Sequence, residues 1–395
     1  MVSRNRDIAT ILGRSEAANA SNTALGTGSG GLDSADVLTI SAPLSNRNLI
    51  INGAMAVSQR GTSISVTADS TYTADRFVIR TYGGNGTYTV STLQTDVPTG
   101  SSFQYSTKYA VNSAATDTGT YAYGIEQRIE GYNIAQLRLG RSDAKQFTLS
   151  FWVKSSLSGT YTGAIRTSTA EYSYVFEFSL TANTWTKITK TIPALTTTLS
   201  SLDETSGSGL LVSPISFGAQ TSKSTATTDT WISGNYAFTS NQVNWMGTAG
   251  ATCHLTGVQL EVGSQATPFE HEDYGTTLRK CQRYLYMLDT TGSAGDENTP
   301  IFREGTTAAQ LTYYLPTNLR ATPSIVGSNY GRVVGYNTSF SVAVVTVSAM
   351  AVRTNINDGQ KIDVNLTHAS LAGSYVFGHH DRASSAGTLA FDAEL

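Results

Sequence analysis

An alternation of apolar and polar residues constrains the fold of this chain more than any other feature of its sequence. In "QFTLSFWVKSS" the apolar side chains occupy every second position from Phe147 to Val153. "EYSYVFEFSL", which ends at Leu180, repeats the pattern with aromatic residues. A period of two residues is typical of a β-strand with one buried face, so both stretches are predicted to be half-buried strands.

The same pattern recurs between about Arg47 and Tyr274, with Gly, Asn and Ser/Thr turns between the strands. "AYGIEQRIEGY" alternates in this way, and "LLVSPISFGAQ" is a further candidate, predicted at a sheet edge because Pro214 cannot donate to a ladder. No helical period is sustained over three turns in this region. The region is therefore predicted to form a two-sheet antiparallel sandwich.

The sandwich is predicted to close with the stretch "LTGVQLEVGSQATPFEHEDYG". Val258 and Leu260 fall on one face of this strand, and Gln259 and Glu261 fall on the other. Proline ends ladder pairing, so the strand is expected to stop before "PFEHED".

Composition excludes several classes of function. Charged residues make up 14% of the chain, against about 25% in ordinary globular proteins. The net charge is −3, and no long run of Lys or Arg occurs, so nucleic-acid binding is not expected. No stretch approaches the ~18 apolar residues of a membrane helix, and the first residues lack the apolar centre of a signal peptide. We therefore expect synthesis in a cytoplasm and no membrane insertion.

Cys253 and Cys281 are expected to be reduced rather than paired.

Three stretches together resemble the central module of tail-fibre and receptor-binding proteins of tailed bacteriophages. They are "NLIINGAMAVSQRGTS" with "YTADRFVIR", the strand "FTLSFWVKSS", and "LTGVQLEVGSQATPFEHEDYGTTLRKCQRYLYML". That module is similar to the β-jelly-roll carbohydrate-binding modules of glycan-degrading enzymes. "SRNRDIATILGRSEAAN" resembles a short N-terminal element of marine phage particle proteins.

The predicted fold is all-β, an antiparallel jelly-roll sandwich followed by a second, smaller β-sandwich, with an extended N-terminal arm. The predicted divisions are an arm and Gly/Ser linker over 1–45, the jelly roll over 46–275, a connector helix over 276–285 and a tip domain over 286–395.

The resemblance implies a virion structural protein, a phage tail fibre or receptor-binding subunit that attaches to host surface polysaccharide. It implies a homotrimer in a tail appendage, assembled in the host cytoplasm. The arm would bind a phage tail or adaptor protein, and its candidate attachment residues are Arg4, Arg6, Ile8, Ile11 and Leu12.

Glycan binding needs flat aromatic faces and groups that bind hydroxyls. Alternation sends Trp152 and Lys154 to the face opposite Phe151, and Glu177 to the polar face of its own strand. Trp231 and Trp245 lie in turn-rich stretches that could border the same surface. The alternative for each tryptophan is a place in the core.

No catalytic residue, metal or cofactor is predicted. Nucleophile, zinc-protease and phosphate-loop motifs are absent from the sequence. A glycan depolymerase would need two carboxylates about 5 to 9.5 Å apart. Glu126 and Glu130 would lie some 13 Å apart on a strand, which is too far, whereas Glu177 with Asp75 stays open. A depolymerase and a purely structural head or tail decoration are the alternatives to a receptor-binding subunit.

Overall fold

The computed structural model describes residues 46–83, 85–116, 122–218, 221–288, 299–303, 307–327, 332–336, 342–352, 361–368, 377–381 and 389–395. The predicted attachment residues lie outside the described residues: Arg4, Arg6, Ile8, Ile11 and Leu12. The chain from Asn48 to Leu395 belongs to one compact unit. Antiparallel strands are its main secondary structure, and helices are few and short among the described residues, which confirms the predicted all-β class.

Thirteen strands form the sandwich within the described residues. They are β1 (Ser63–Val66), β2 (Thr71–Tyr72), β3 (Val78–Tyr82), β4 (Thr87–Gln94), β5 (Ser106–Ser113), β6 (Ala122–Glu130), β7 (Phe147–Ser155), β8 (Gly159–Thr167), β9 (Tyr172–Leu180), β10 (Thr186–Ile192), β11 (Ser208–Ser216), β12 (Trp231–Ser233) and β13 (Thr252–Val262). A six-stranded sheet has the order β1-β4-β5-β13-β7-β10, and a seven-stranded sheet has the order β12-β9-β8-β11-β6-β3-β2. A short helix, α1 (Gly131–Ile134), and two 3-10 turns, Ala135–Leu137 and Thr221–Lys223, lie in the connections.

The core forms where the alternating apolar faces of the two sheets meet. Phe147, Leu149, Phe151 and Val153 of β7 are completely buried. Phe151 contacts Phe178 of the opposite sheet, with ring centres 5.6 Å apart in an edge-to-face arrangement. A slip of one residue in the register of β7 would move its whole apolar set to the outer face, so the alternation fixes the strand pairing.

Strand β13 is the last of the sandwich in sequence, but it lies between β5 and β7 in the sheet. Its predicted polar face is also buried, because the chain turns back over it. The backbone N–H of Thr267 donates to Glu261 at 2.8 Å, and that of Glu270 donates to Gln259 at 2.8 Å. Gln259 and Glu261 are therefore covered and hydrogen-bonded rather than exposed to water.

The prediction of an edge position for Pro214 is wrong. β11 lies between β8 and β6, inside the seven-stranded sheet. Its pairing shifts register between Val212 and Ile215 on one side and between Ser213 and Ser216 on the other. Pro214 is accommodated because this bulge interrupts the ladder at the residue that has no N–H to donate.

A helix, α2 (Tyr274–Gln282), overlaps the connector predicted over 276–285; it begins two residues earlier and ends three residues earlier. Asp273 caps it by accepting the backbone N–H of Thr276 at 2.9 Å. Cys281 of this helix and Cys253 of β13 are buried and are not paired with each other.

Nine further strands are described after α2. They are β14 (Leu285–Leu288), β15 (Thr299–Arg303), β16 (Ala308–Tyr314), β17 (Ser324–Gly327), β18 (Arg332–Tyr336), β19 (Val342–Val352), β20 (Lys361–His368), β21 (Phe377–Asp381) and β22 (Leu389–Asp392). The smaller β body is confirmed, but six of its strands close into a barrel of order β15-β16-β20-β19-β18-β21. Closure replaces the open sandwich that the sequence predicts, because β21 pairs with both β15 and β18. The remaining strands form a small sheet of order β14-β22-β17.

The residues after β22 pack against the sandwich through buried charges. Arg76, which is 1% exposed, forms an ion pair with Glu394, and its guanidinium lies 3.4 Å from the centre of the Tyr284 ring. Arg76 also donates to the carbonyl oxygen of Arg128 at 2.7 Å. Arg128 in turn donates to the carbonyl oxygen of Leu395 at 2.7 Å. These contacts connect the end of the described chain to β6.

Candidate functional site

The outer face of the seven-stranded sheet carries a groove of about 600 Å³. Residues of β3, β6, β8 and β11 line it, together with the segment 222–238 that precedes and follows β12. We call it the sheet groove. Its volume is within the range of about 300 to 1,000 Å³ that small-ligand sites occupy.

The floor of the sheet groove consists of small side chains. Ala122 and Gly124 of β6 point outward because Tyr123 and Ile125, the alternate residues, are buried in the core. Ser216 of β11 pairs with Gly124 and continues the floor. A Cβ atom at Gly124 would lie 3.6 Å from Ser216 Oγ, an ordinary van der Waals contact, so a side chain can begin at this position without a clash.

One wall is the segment 222–238, which is held against the sheet by an apolar cluster and by hydrogen bonds. Phe238 is 1% exposed and packs with Ala164 and Val175 on the outer face of β8 and β9. Ser173 Oγ donates to the carbonyl oxygen of Gly234 at 2.6 Å. The wall therefore covers the β9 side of the sheet and leaves the β3, β6 and β11 side open.

A buried carboxylate lies between two arginines in the sheet groove. Glu126 of β6 is 1% exposed. Arg128 Nε donates to it at 3.1 Å from the same strand, and Arg166 of β8 forms an ion pair with its other oxygen. Arg166 Nη1 also donates to Asn235 Oδ1 of the wall at 3.1 Å. The carboxylate thus fixes the two guanidiniums side by side.

Two more cations line the sheet groove. Arg80 of β3 is paired at its outer end with Asp69, at 3.1 Å, and its side chain is one-third exposed. Lys223 lies in the wall, where burial lowers the pKa of its ammonium and the positive charge of Arg166 lowers that pKa further. At the mouth, Tyr82 is 60% exposed. The lining therefore offers cations, hydroxyl and amide groups, and one open aromatic ring.

Two of the residues predicted to bind glycan lie together, but on the other sheet. Trp152 and Lys154 are half-buried on the outer face of the six-stranded sheet, as their alternation with Phe151 and Val153 indicates. Lys154 is paired with Asp96 and its ammonium lies 5.4 Å from the centre of the Trp185 ring.

The other three predicted residues are engaged elsewhere. Glu177 accepts hydrogen bonds from Thr239 and, at 3.1 Å, from Asn241. It therefore holds the residues that directly follow the wall. Trp231 is half-buried at the sheet edge and donates to the carbonyl oxygen of Pro193 at 2.8 Å. Trp245 lies in the core rather than at the rim expected from its turn-rich neighbourhood. It is completely buried, because its ring stacks on Phe217 with centres 4.2 Å apart.

The cations of the sheet groove form no motif in the sequence. Arg80, Arg128, Arg166 and Lys223 come from four separate stretches, and only the fold brings them together. One signal was local. An isolated glycine within a strand marks a place of close approach, and Gly124 is such a residue beside the alternating Glu126 and Arg128.

A second cavity, of about 570 Å³, lies between the segments 48–56, 102–105 and 269–277. Phe103, Phe269 and His271 form a cluster of rings there. The carboxylate of Glu270 already accepts the backbone N–H of Asn48 at 2.8 Å.

Across the described residues, no group of three or more His, Cys, Asp or Glu side chains is arranged to hold a metal ion. No helix among them is long and apolar enough to span a membrane.

No protein-family model matches the sequence. No curated protein matches it. Among solved structures, a putative sugar binding protein from Bacteroides thetaiotaomicron is similar over 55% of this chain and 100% of its own, at 15% identity and a TM-score of 0.28. TmCBM61, in complex with β-1,4-galactotriose, is similar over 55% of this chain and 99% of its own, at 9% identity and a TM-score of 0.27.

A cyclase from Fischerella sp. TAU is similar over 57% of this chain and 98% of its own, at 12% identity and a TM-score of 0.26. At these identities and scores, the fold assignment rests on the strand order and pairing described above.

Proposed function

We propose that the sandwich binds a saccharide in the sheet groove. The observation that carries the proposal is the convergence of hydrogen-bonding groups over an open floor of small residues. Asn235 and the guanidinium of Arg166 face this floor from the wall and from β8, and Ser216 belongs to it. Sugar hydroxyls need such donors and acceptors, and the exposed ring of Tyr82 offers a face for stacking on sugar C–H groups.

We propose binding rather than cleavage. Glu126 is the one carboxylate among the described residues that line the sheet groove, and both of its oxygens are held by arginines. The common glycosidase mechanisms use two carboxylates across the scissile bond. Incubation with a bound polysaccharide is expected to release no new reducing or unsaturated ends; their appearance would favour the depolymerase alternative.

The test fills the floor of the sheet groove. Gly124→Tyr adds a ring to a residue that lines the sheet groove, where a Cβ atom meets no clash, and a strand position tolerates an aromatic residue. Thr189→Tyr is the matched control, because it adds the same ring to an exposed strand position on the six-stranded sheet. On a glycan array followed by calorimetry, Gly124→Tyr is expected to abolish binding and Thr189→Tyr to preserve it. Equal binding by both variants would refute the sheet groove as the site.

Trp152 and Lys154 stay a proposed second contact surface for glycan. Trp152 of β7 and Trp185, which directly precedes β10, are half-exposed, and the Lys154 ammonium lies 5.4 Å from the centre of the Trp185 ring. Trp152→Ala separates the two surfaces, because it leaves the sheet groove intact. We expect Trp152→Ala to retain binding that Gly124→Tyr abolishes, and the reverse result would move the primary site to the six-stranded sheet.

We further propose that the protein is the receptor-binding subunit of a phage tail, acting as a homotrimer on host polysaccharide. The sequence resemblance supports this proposal, and three linked copies would multiply a modest affinity per site. The arm over 1–45 would attach the subunit to a tail or adaptor protein. Light scattering tests the trimer, and electron microscopy of labelled particles tests the location. A monomer mass at micromolar concentration would contradict the trimer, and a label on the head would favour the decoration alternative.

A further inference from the structure

The lining of the sheet groove carries an excess of positive charge. Four cations line it, Arg80, Arg128, Arg166 and Lys223, and Glu126 is the one carboxylate of the lining. The chain as a whole has a net charge of −3, so this excess is a local property of the groove. Charge concentrated in a cleft with low-dielectric walls attracts ligands of the opposite sign.

Glu126 does not neutralise this excess. Its carboxylate is shared by Arg128 and Arg166, so one negative charge serves two guanidiniums. Arg166 Nε is buried and has no hydrogen-bond partner. Lys223 forms no ion pair with any of the described residues, and burial lowers the pKa of its ammonium, as does the positive charge of Arg166. Cations held close together in a partly buried site are stabilised when an anion binds between them.

A neutral sugar would leave Lys223 without a counter-charge, and Arg128 and Arg166 with one carboxylate between them. Arg80 is paired only at its outer end, with Asp69. A neutral sugar would also find few aromatic surfaces, because Tyr123 and Phe238 are 1% exposed and Tyr82 lies at the mouth. Removing cations from water without pairing them is costly. An acidic group can instead accept the donors that Glu126 leaves free.

We propose that the sheet groove selects acidic saccharides, in which carboxylate or sulfate groups on the sugar ring lie against Arg80, Arg166 and Lys223. This inference rests on the proposed function of the groove. It adds the class of ligand, a polyanionic glycan rather than a neutral one.

The experiment compares acidic oligosaccharides with their neutral twins on the full chain. The probes are a hexamer of galacturonic acid and its methyl ester, and a sulfated galactan hexamer and its desulfated form. Affinity is measured by calorimetry in 50 mM and 300 mM salt. We expect at least one acidic probe to bind at least tenfold more tightly than its neutral twin, and salt to weaken that binding. Inorganic sulfate at the same concentration is expected not to displace it.

Charge-removing variants locate the effect. Lys223→Gln and Arg80→Gln each remove one cation and keep a hydrogen-bonding side chain, and neither cation contacts the buried Glu126. Each is expected to weaken acidic binding about five- to tenfold, as for one charged hydrogen bond in a partly exposed site. Lys145→Gln and Arg279→Gln, at exposed positions away from the sheet groove, are the matched controls and should retain wild-type affinity.

The outcomes separate this inference from the function beneath it. If neutral and acidic twins bind equally, and Gly124→Tyr abolishes both, saccharide binding stands and acidic selectivity is wrong. Acidic binding that is unaffected by Lys223→Gln and Arg80→Gln also overturns the selectivity, as does full displacement by sulfate alone. If none of the four probes binds, or Gly124→Tyr leaves their binding unchanged, the proposed function itself falls.

Discussion

The imidazole of His254 is predicted to make the sandwich lose stability in mild acid. This ring is 7% exposed on β13, next to Lys108 and Lys154 in the neighbouring strands. Asp96 lies 3.9 Å from it. Burial lowers the pKa of His254 from 6.5 to about 4, and the two lysines lower it too, while Asp96 acts in the opposite direction.

His254 takes up its proton at a higher pH in the unfolded chain than in the folded chain. On acidification the unfolded chain protonates this imidazole near pH 6.5, whereas the folded chain does so only near pH 4. The contribution to the free energy of unfolding is therefore complete above pH 6.5 and is lost as the pH falls towards 4. Linkage gives a loss of about 2 kcal/mol at pH 5 relative to pH 8, and about 3 kcal/mol at pH 4.

His254→Gln removes this titration and keeps a polar side chain beside Ser106. Urea unfolding at pH 8 and pH 5 gives the loss of unfolding free energy for each protein. The wild type is expected to lose about 2 kcal/mol more than the variant. His271→Gln, at an exposed histidine, is the control and should show the wild-type loss. Equal losses for the wild type and His254→Gln would refute the reasoning.

Three further predictions concern the packing that positions the two β bodies and the sheet groove. Trp245→Ala is expected to cost about 3 to 5 kcal/mol of unfolding free energy in urea, while the folded fraction still binds glycan. Gly163→Ala is expected to cost about 1 to 3 kcal/mol in the same assay, because its Cβ would lie 2.3 Å from Phe176 Cζ. Glu130→Ala is expected to cost about 1 to 3 kcal/mol and to speed proteolysis after α2, because it leaves the buried Tyr284 hydroxyl without its acceptor and the partly exposed Arg283 without its ion pair. A wild-type urea midpoint in any of the three variants would contradict its reasoning.

The strands could be predicted because apolar and polar residues alternate along them with the two-residue period of a β-strand. β7 and β9 bury the residues that alternation places inward, Phe151 and Phe178 among them. The two wrong predictions, an exposed face for Gln259 and an edge position for Pro214, have a common cause. Alternation predicts on which face of a strand a residue lies, but not which other segment covers that face or that strand. Gln259 is buried because a later segment folds over it, and Pro214 lies inside a sheet because a bulge accommodates it.

The candidate site could be predicted less well than the fold, for a geometric reason. Arg128 stands two residues from Glu126, so strand alternation places them on one face. Arg166 lies near Glu126 because β8 pairs with β11 in the same sheet. Lys223 lines the same groove because the wall packs on that sheet. Tryptophans are natural candidates for stacking on a sugar when only the sequence is known. Trp245 shows that a tryptophan in a turn-rich stretch can nevertheless lie in the core.

The sheet groove is also not a property of the sandwich alone. Arg128 is held by Glu126 within its own strand, but its guanidinium also donates to the carbonyl oxygen of Leu395, beyond β22. Its backbone oxygen accepts from Arg76, which is paired with Glu394. The segment after β22 therefore helps to fix one of the four cations of the groove. An excised sandwich would lose these contacts and leave Arg76 buried without its carboxylate, a change that costs more than an exposed pair would. The position of Arg128 thus depends on the segment after β22 as well as on the sandwich, so binding has to be measured on the full chain.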